Sequence, residues 1–393
     1  MNAIPENEHY YNLSEDYPFY HKLTQNRWLN TQAKLAALGL CIAWVPLVIL
    51  SALDGKLYSG VEMPFIKDIT IQTRLLIALP LLILIKENID EKLSIVIRYI
   101  CNTLLFPEDR DHFIATHLHT AKRQNNSVLT NIIIFLIIIS MTTLLVMSGT
   151  YAALESGITS WMTNLSEGDN SLSLAGYWCI FISIPLFQFF GLRWMWQYIV
   201  WVFLLYKFST AKLKLLPTHA DNSAGLGIVL LAQQAFNLLF VAIAIIISGE
   251  LMTNLLEDPG SFDVIKKELV FFIAASLFIV TAPLFFFVKN LTQVKTEGLI
   301  KLSEVSATLS SKFEGEWINT TPLEDKLDED GVEPSIICDY NALYASLQEL
   351  KIFPMSLKDL IPMSVMLFAP FVPILFIHYS VAELVQKISG MLL

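Results

Sequence analysis

Apolar positions along this chain gather into long blocks instead of alternating singly with polar ones. Seven blocks predict helices that cross a membrane: Leu35–Leu53, Ile69–Ile85, Ser127–Tyr151, Leu174–Tyr206, Leu226–Ser248, Leu269–Val288 and Ile361–Val381. Asn131 to Tyr151 and Leu174 to Leu192 carry no charge at all, and about 20 apolar residues suffice to span the hydrocarbon core as a helix. The two-residue alternation of a membrane barrel strand is absent. The expected fold class is therefore all-α, an integral membrane bundle of about seven transmembrane helices with a small cytoplasmic helical portion. In the second block Arg74 leaves only the stretch Leu75 to Ile85 uninterrupted. The fourth block would reach about 50 Å as one helix, so its end past Arg193 is read as an extension through the headgroup region, where its tryptophans and tyrosines sit well.

The polar stretches between blocks set the domain organisation. Residues 1–34 form an N-terminal segment, and residues 35–288 form six spans with loops at 86–126 and 207–225. Residues 289–360 form helices and an acidic linker, and residues 361–393 hold the last span and the C-terminus. Asn88 to Asn126 reads as two short helices broken at Pro107. Leu291, Val294, Leu302, Val305, Leu309 and Phe313 recur at helical spacing, so the sixth span is expected to continue as a helix. An acidic stretch, Glu314 to Glu333, reads as a flexible linker, and "YNALYASLQELKIFP" as a helix leading back to the last span. No internal repeat is visible, which weakens a transporter built from inverted halves.

Composition agrees: 54% of residues are hydrophobic and 16% charged, against roughly a quarter charged in soluble domains. The basic residues orient the bundle. With a cytoplasmic N-terminus, 19 of the 26 Lys and Arg fall in cytoplasmic segments and five outside, with Arg74 and Arg193 inside spans. Splitting the fourth block at Gly191 would put the basic residues between Lys289 and Lys358 outside, so a single span is preferred. The expected location is a bacterial-type inner membrane, N-terminus in and C-terminus out. The first 34 residues lack the apolar core of a cleavable signal, so insertion is expected to begin at the first span. The net charge of −10 comes largely from the N-terminal segment and the acidic linker, which excludes a nucleic-acid surface. Cys41, Cys101, Cys179 and Cys338 lie far apart, so neither a disulfide framework nor a zinc site is expected.

Candidate chemistry lies mostly at one depth. Arg193 and Gln197 share a helix face. Arg193 is either a snorkelling anchor or a contact for an anion inside the bundle. His219 and Asp221 sit in "LPTHADNSAGLG" at the start of the fifth span, where free N–H groups favour anions, although Asp221, Asn222 or Ser223 could simply cap the helix. Gln233 and Asn237 share a face of the fifth span and either join helices or line a cavity. Together these six residues form a candidate polar site at the inner leaflet. Arg74 is an intramembrane charge near the outer boundary, with Glu62 or Asp68 as conceivable partners. Asp109, Asp111, His112, His117 and His119 match no metal-site spacing and read as a solvated amphipathic face. "DKLDEDGVE" does not fit a calcium loop. No metal or other cofactor is expected, and the catalytic motifs of nucleotide, zinc-protease and serine-hydrolase enzymes are absent.

The stretches "RLLIALPLLILIKENID", "RWMWQYIVWVFLL", "LKLLPTHADNSAGLG" and "FPMSLKDLIPMSVMLFAPFVPILF" resemble a family of uncharacterised bacterial polytopic inner-membrane proteins. The resemblance runs from about residue 70 to the end. The family pattern has PTHPD followed by a double glycine; here Ala220 and Ala224 depart from it, while Thr218, His219, Asp221, Gly225 and Gly227 match. It implies a bacterial inner-membrane location and no activity. The expected function is a non-enzymatic channel or transporter for a small solute, with an anion as the favoured class. The alternative is a non-transporting scaffold or sensor that docks a cytoplasmic partner. The lipid bilayer, a small solute and further copies of the chain are the partners such a bundle admits.

Overall fold

The computed structural model describes residues 11–14, 31–156, 159–166, 169–257, 260, 262–318 and 334–378. Among them, seven helices are long and apolar enough to cross a membrane. We name the helices α1 (Gln32–Leu53), α2 (Ile69–Leu104), α3 (residues 107–125), α4 (Val128–Ser156), α5 (Leu174–Thr210), α6 (Leu226–Glu257), α7 (Phe262–Phe313), α8 (Pro334–Gln348) and α9 (Leu357–Ile377). A two-stranded antiparallel hairpin, β1 (Thr163–Ser166) and β2 (Asp169–Leu172), precedes α5. The chain is a multi-pass integral membrane protein of all-α architecture. The first residues of the expected acidic linker, Glu314–Ile318, are helical and continue α7, while residues 319–333, which include the "DKLDEDGVE" stretch, and the end of the chain past His378 lie outside the described residues.

Prolines account for most departures from regular helix inside the spans. Each removes an N–H, and its ring crowds the carbonyl four residues back. In α2 and α5 the turn before the proline widens to π geometry, over Thr73–Ala78 ahead of Pro80 and Cys179–Ser183 ahead of Pro185. In α7 and α9 it tightens to 3-10 geometry, around Pro283 and Pro370. In α1 regular geometry lapses at Trp44, two residues before Pro46.

Helix α6 is central. Half of its apolar window is buried, the largest share of the seven. It packs along α2, α7 and α9. It comes close to α2 at Gly249, where an added Cβ would clash with the Thr73 side chain. Helix α4 lies at the other extreme. Leu129, Ile132, Phe135, Leu136, Ile139 and Leu144 are exposed, as expected for a helix wrapped mainly by lipid.

The two ends of the bundle differ. At the narrow end the hairpin region folds over α2, where Trp161 packs edge-on against Phe65 at 4.9 Å and donates to Asp68 Oδ2 at 3.0 Å. At the broad end lie α3, the 211–225 loop and α8. Phe113, Ile114, Leu118 and Ala121 of α3 face inward while Asp109, Asp111, His112 and His119 face outward. The first of the two short helices read before Pro107 is the uninterrupted end of α2. With 52 residues, α7 is about 78 Å long, more than twice the roughly 30 Å hydrocarbon thickness, so much of it projects past the broad end. Gly298 brings α8 and the loop against it, since a Cβ there would meet Leu347 Cδ2 at 3.0 Å and Pro217 Cβ at 3.2 Å.

Candidate functional site

Four residues near the N-terminus are folded into the broad end. Tyr11, Leu13 and Ser14 are buried. Tyr11 donates its hydroxyl proton to Asn102 Oδ1 at 3.1 Å. The Leu13 carbonyl accepts from Asn125 Nδ2 at 3.0 Å and Asn126 Nδ2 at 3.2 Å. The Ser14 hydroxyl lies 2.9 Å from Asp90 Oδ1 and 3.1 Å from Gln197 Oε1, donating to one at a time.

These contacts complete a polar node between α2 and α5. Gln197 donates to Asp90 Oδ1 at 3.1 Å, and Lys86 pairs with Asp90 Oδ2 one turn earlier on α2. Arg193 is 8% exposed, so it is not an anchor reaching out to lipid phosphates. Its Nη2 donates to the Asn125 carbonyl at 2.5 Å, where α3 ends. Trp194 donates to the Leu82 carbonyl at 2.6 Å and ties the same two spans together.

Beside this node lies a cavity of about 320 Å³ between α1, α2 and α5. Its walls are apolar: Leu35, Leu38 and Ile42 from α1, Leu82 from α2, Leu186 and Phe190 from α5. Its polar end is formed by Ser14, Lys86, Arg193 and Gln197. Leu38 and Ile42 of this wall are exposed.

His219 and Asp221 meet in a separate place. Asp221 Oδ1 accepts from the N–H groups of Ser223 at 2.8 Å and Gly225 at 3.1 Å, and Oδ2 from Gly227 at 2.9 Å. His219 Nδ1 stands 2.8 Å from Asp221 Oδ1, and its Nε2 3.3 Å from the Tyr99 hydroxyl. With its proton on Nδ1, His219 donates to Asp221 Oδ1 and accepts from the Tyr99 hydroxyl; with its proton on Nε2, Nδ1 instead accepts from the Asp221 N–H at 3.3 Å and Nε2 donates to the Tyr99 oxygen. Partial burial pulls the Asp221 carboxyl upward, but the three backbone donors and His219 outweigh it and hold the group below its ordinary value. The capping reading accounts for this loop. Gly227 is required by it, because a Cβ there would sit 2.9 Å from Asp221 Oδ2. The loop also binds its surroundings: Lys214 N–H donates to the Leu104 carbonyl, and Lys351 N–H to the Asn222 carbonyl.

Gln233 and Asn237 occupy a third neighbourhood, fully buried in α6. Asn237 Nδ2 donates to the Met363 carbonyl of α9 at 3.2 Å, a helix-joining contact. Both amide atoms of Gln233 are buried with no hydrogen-bond partner among the described residues. Arg74 lies with its Cζ 6.0 Å from the Phe187 ring centre, and its Nε is buried without a hydrogen-bond partner among the described residues. Asp68 is engaged elsewhere, capping α2 at Ile71 N–H and accepting from Trp161, while Glu62 accepts from Thr159 N–H.

The structure therefore brings Arg193 and Gln197 together at the cavity. It leaves His219 with Asp221, and Gln233 with Asn237, away from its lining. Asp90 and Tyr99 mark the first two neighbourhoods and stand nine residues apart on α2, about 13 Å along its axis. Ser14, Lys86 and Asp90 escaped the sequence reading. Asp90 carried a usable signal, because it falls on the apolar stripe of Ile83, Leu93 and Ile97 at helical spacing. Among the described residues, no cluster of three or more His, Cys, Asp or Glu could hold a metal. No protein-family model, no curated protein and no solved structure matches this chain.

Proposed function

We propose that this protein carries a small anionic solute across a bacterial-type inner membrane, taking it into the pocket beside Arg193. The observation that carries this reading is a cavity inside the span region whose lining includes the stems of Lys86 and Arg193. Its 320 Å³ falls within the usual range of small-molecule sites. The excess of Lys and Arg at the broad end supports a cytoplasmic N-terminus and an external C-terminus, and the resemblance to bacterial polytopic proteins supports the location. No step of this reading needs an enzymatic activity. Asp90, Gln197 and Ser14 close the cytoplasmic side of the pocket, so passage requires that node to open.

One observation favours a second reading, a scaffold or sensor that docks a cytoplasmic partner. The projecting part of α7 and its companion α8 expose Ile300, Val305, Ile336 and Leu343.

The test is anion flux in liposomes holding the purified protein, for wild type and Arg193→Gln. Losing a buried charged contact of about 1.5–3 kcal/mol corresponds to roughly a 10- to 100-fold weaker apparent affinity. Saturable flux that weakens in this way supports transport. Background flux from correctly folded protein, for every anion tried, removes transport and leaves the scaffold reading.

A further inference from the structure

We infer that the N-terminal tetrapeptide Tyr11–Ser14 is a removable strap, docked in a groove between α2, α3 and α5, that shuts the pocket at the broad end. The inference rests on the pocket being the solute site, as proposed above, and adds its regulation. Ser14 lines the cavity, whereas Tyr11 and Leu13 do not. The segment thus supplies part of the wall from outside the helical bundle. Asp90 and Gln197, the other residues of that closure, stand on packed spans. Ser14 is therefore the member that can leave without moving a span.

The groove holds the segment on two sides. Along α2 the strap runs from Asn102, which accepts from Tyr11, to Asp90, which accepts from Ser14. These two positions are twelve residues apart, about 18 Å of helix. On the other side Asn125 and Asn126, where α3 ends, both donate to the Leu13 carbonyl. Asn12 steadies the turn, its Oδ1 accepting from the Ser14 N–H at 2.8 Å. Tyr11 and Leu13 are each 1% exposed and belong to the main apolar core.

These contacts suit a part that comes and goes. Each of these bonds to the bundle ends on a side chain, of Asn102, Asn125, Asn126, Asp90 or Gln197, so release exchanges it for a bond to water. What holds the strap against that exchange is the burial of two apolar side chains. A short segment near a chain end, held in this way, opens locally without global unfolding. Docked and released forms are then two states of one chain, and only the docked form completes the cavity wall.

The test reads the cavity and not the strap. A cysteine replaces Leu82 of the lining in the full chain, with the exposed Cys41 and Cys338 changed to serine. A charged, membrane-impermeant thiol reagent is supplied at the broad end, in vesicles with that face outward. Leu13→Asp is the perturbation: a carboxylate does not stay in the apolar site of Leu13, and residue 13 is off the lining. Leu13→Met keeps the apolar contact. Expected is labelling of Leu82→Cys at least about tenfold faster with Leu13→Asp and unchanged with Leu13→Met, at the same unfolding temperature. Tyr11→Ala, which loosens the other end of the strap, should also speed labelling, and it carries the test if Leu13→Asp does not fold. Native Cys179, 0% exposed, should stay unlabelled; its labelling alongside Leu82→Cys would mean general loosening and overturns the inference. Equal labelling in all variants overturns it too. Anion flux in the same vesicles separates the two readings. Faster labelling with no flux in any variant removes transport and keeps the strap. Wild-type flux, with flux and labelling both unchanged by Leu13→Asp, keeps transport and removes the strap.

Discussion

Replacing Asp221 by alanine removes the acceptor for three backbone N–H groups at once, those of Ser223, Gly225 and Gly227, together with the partner of His219. The loop these bonds hold is strained. Asn222 and Ala224 have φ of 50° and 55°, in the left-handed region, at a cost of about 1–3 kcal/mol each for residues other than glycine. Each hydrogen bond to a charged group contributes about 1.5–3 kcal/mol. The side chain is 23% exposed, so water replaces part of what is lost, and replacing a helix-capping Asp by Ala typically costs up to about 2 kcal/mol. A total near 2–4 kcal/mol follows. At roughly 2–4 °C per kcal/mol for chains of 150–250 residues, and less for longer ones, the unfolding temperature should fall by several degrees. The assay is thermal unfolding of purified protein in nanodiscs, followed by tryptophan fluorescence, with limited proteolysis of residues 211–225. Asp221→Asn keeps one acceptor oxygen and should fall between. The pH dependence has a definite sign. The folded carboxyl titrates below its unfolded value, so its contribution is complete above the ordinary carboxylate range and is lost as pH falls through the folded value. The gap between wild type and Asp221→Ala should therefore close in acid. An unchanged unfolding temperature and an uncut loop in Asp221→Ala would refute the capping role.

Three further substitutions probe the packing. Gln233→Met replaces a buried amide whose two polar atoms lack partners among the described residues, and should raise the unfolding temperature by an amount worth about 1–3 kcal/mol; a fall would mean that the amide holds a buried water or ligand. Tyr11→Ala should release the N-terminal segment from the broad end, seen as faster proteolysis ahead of α1 with little change in global unfolding, and unchanged cleavage would show that Leu13 and Ser14 hold it alone. Gly249→Ala places a Cβ against Thr73 and should cost about 1–3 kcal/mol by overpacking, partly restored by Thr73→Ala; additive losses in the double variant would contradict contact at that point.

The spans were legible because the bilayer imposes a length and a composition that hydropathy reads directly. The continuation of α7 was equally plain in the spacing of Leu291, Val294, Leu302 and Val305. The geometry of the candidate site was less legible. Arg193, His219 and Gln233 come near one depth in the sequence, but depth says nothing about angle around the bundle. His219 turns to Tyr99, Arg193 to Asn125, and Gln233 into the core of α6. The docked segment Tyr11–Ser14 left no trace in the pattern, being short, polar and without periodicity. Its place follows from long-range partners, such as Asn125 and Asp90, that one-dimensional spacing cannot pair. Arg193 illustrates the same point: an arginine amid tryptophans suits the lipid interface, yet its burial depends on where α3 ends.

Ligand-linked stability tests the pocket most directly. A ligand present at one hundred times its dissociation constant stabilises the folded state by about 2.7 kcal/mol. Thermal unfolding of wild type and Arg193→Gln should be followed with a small carboxylate anion and with its methyl ester. The expected result is a rise in unfolding temperature with the acid, little with the ester, and no difference between them in Arg193→Gln. Equal shifts from acid and ester in wild type, or the same acid shift in both proteins, would contradict a pocket that recognises an anion through Arg193.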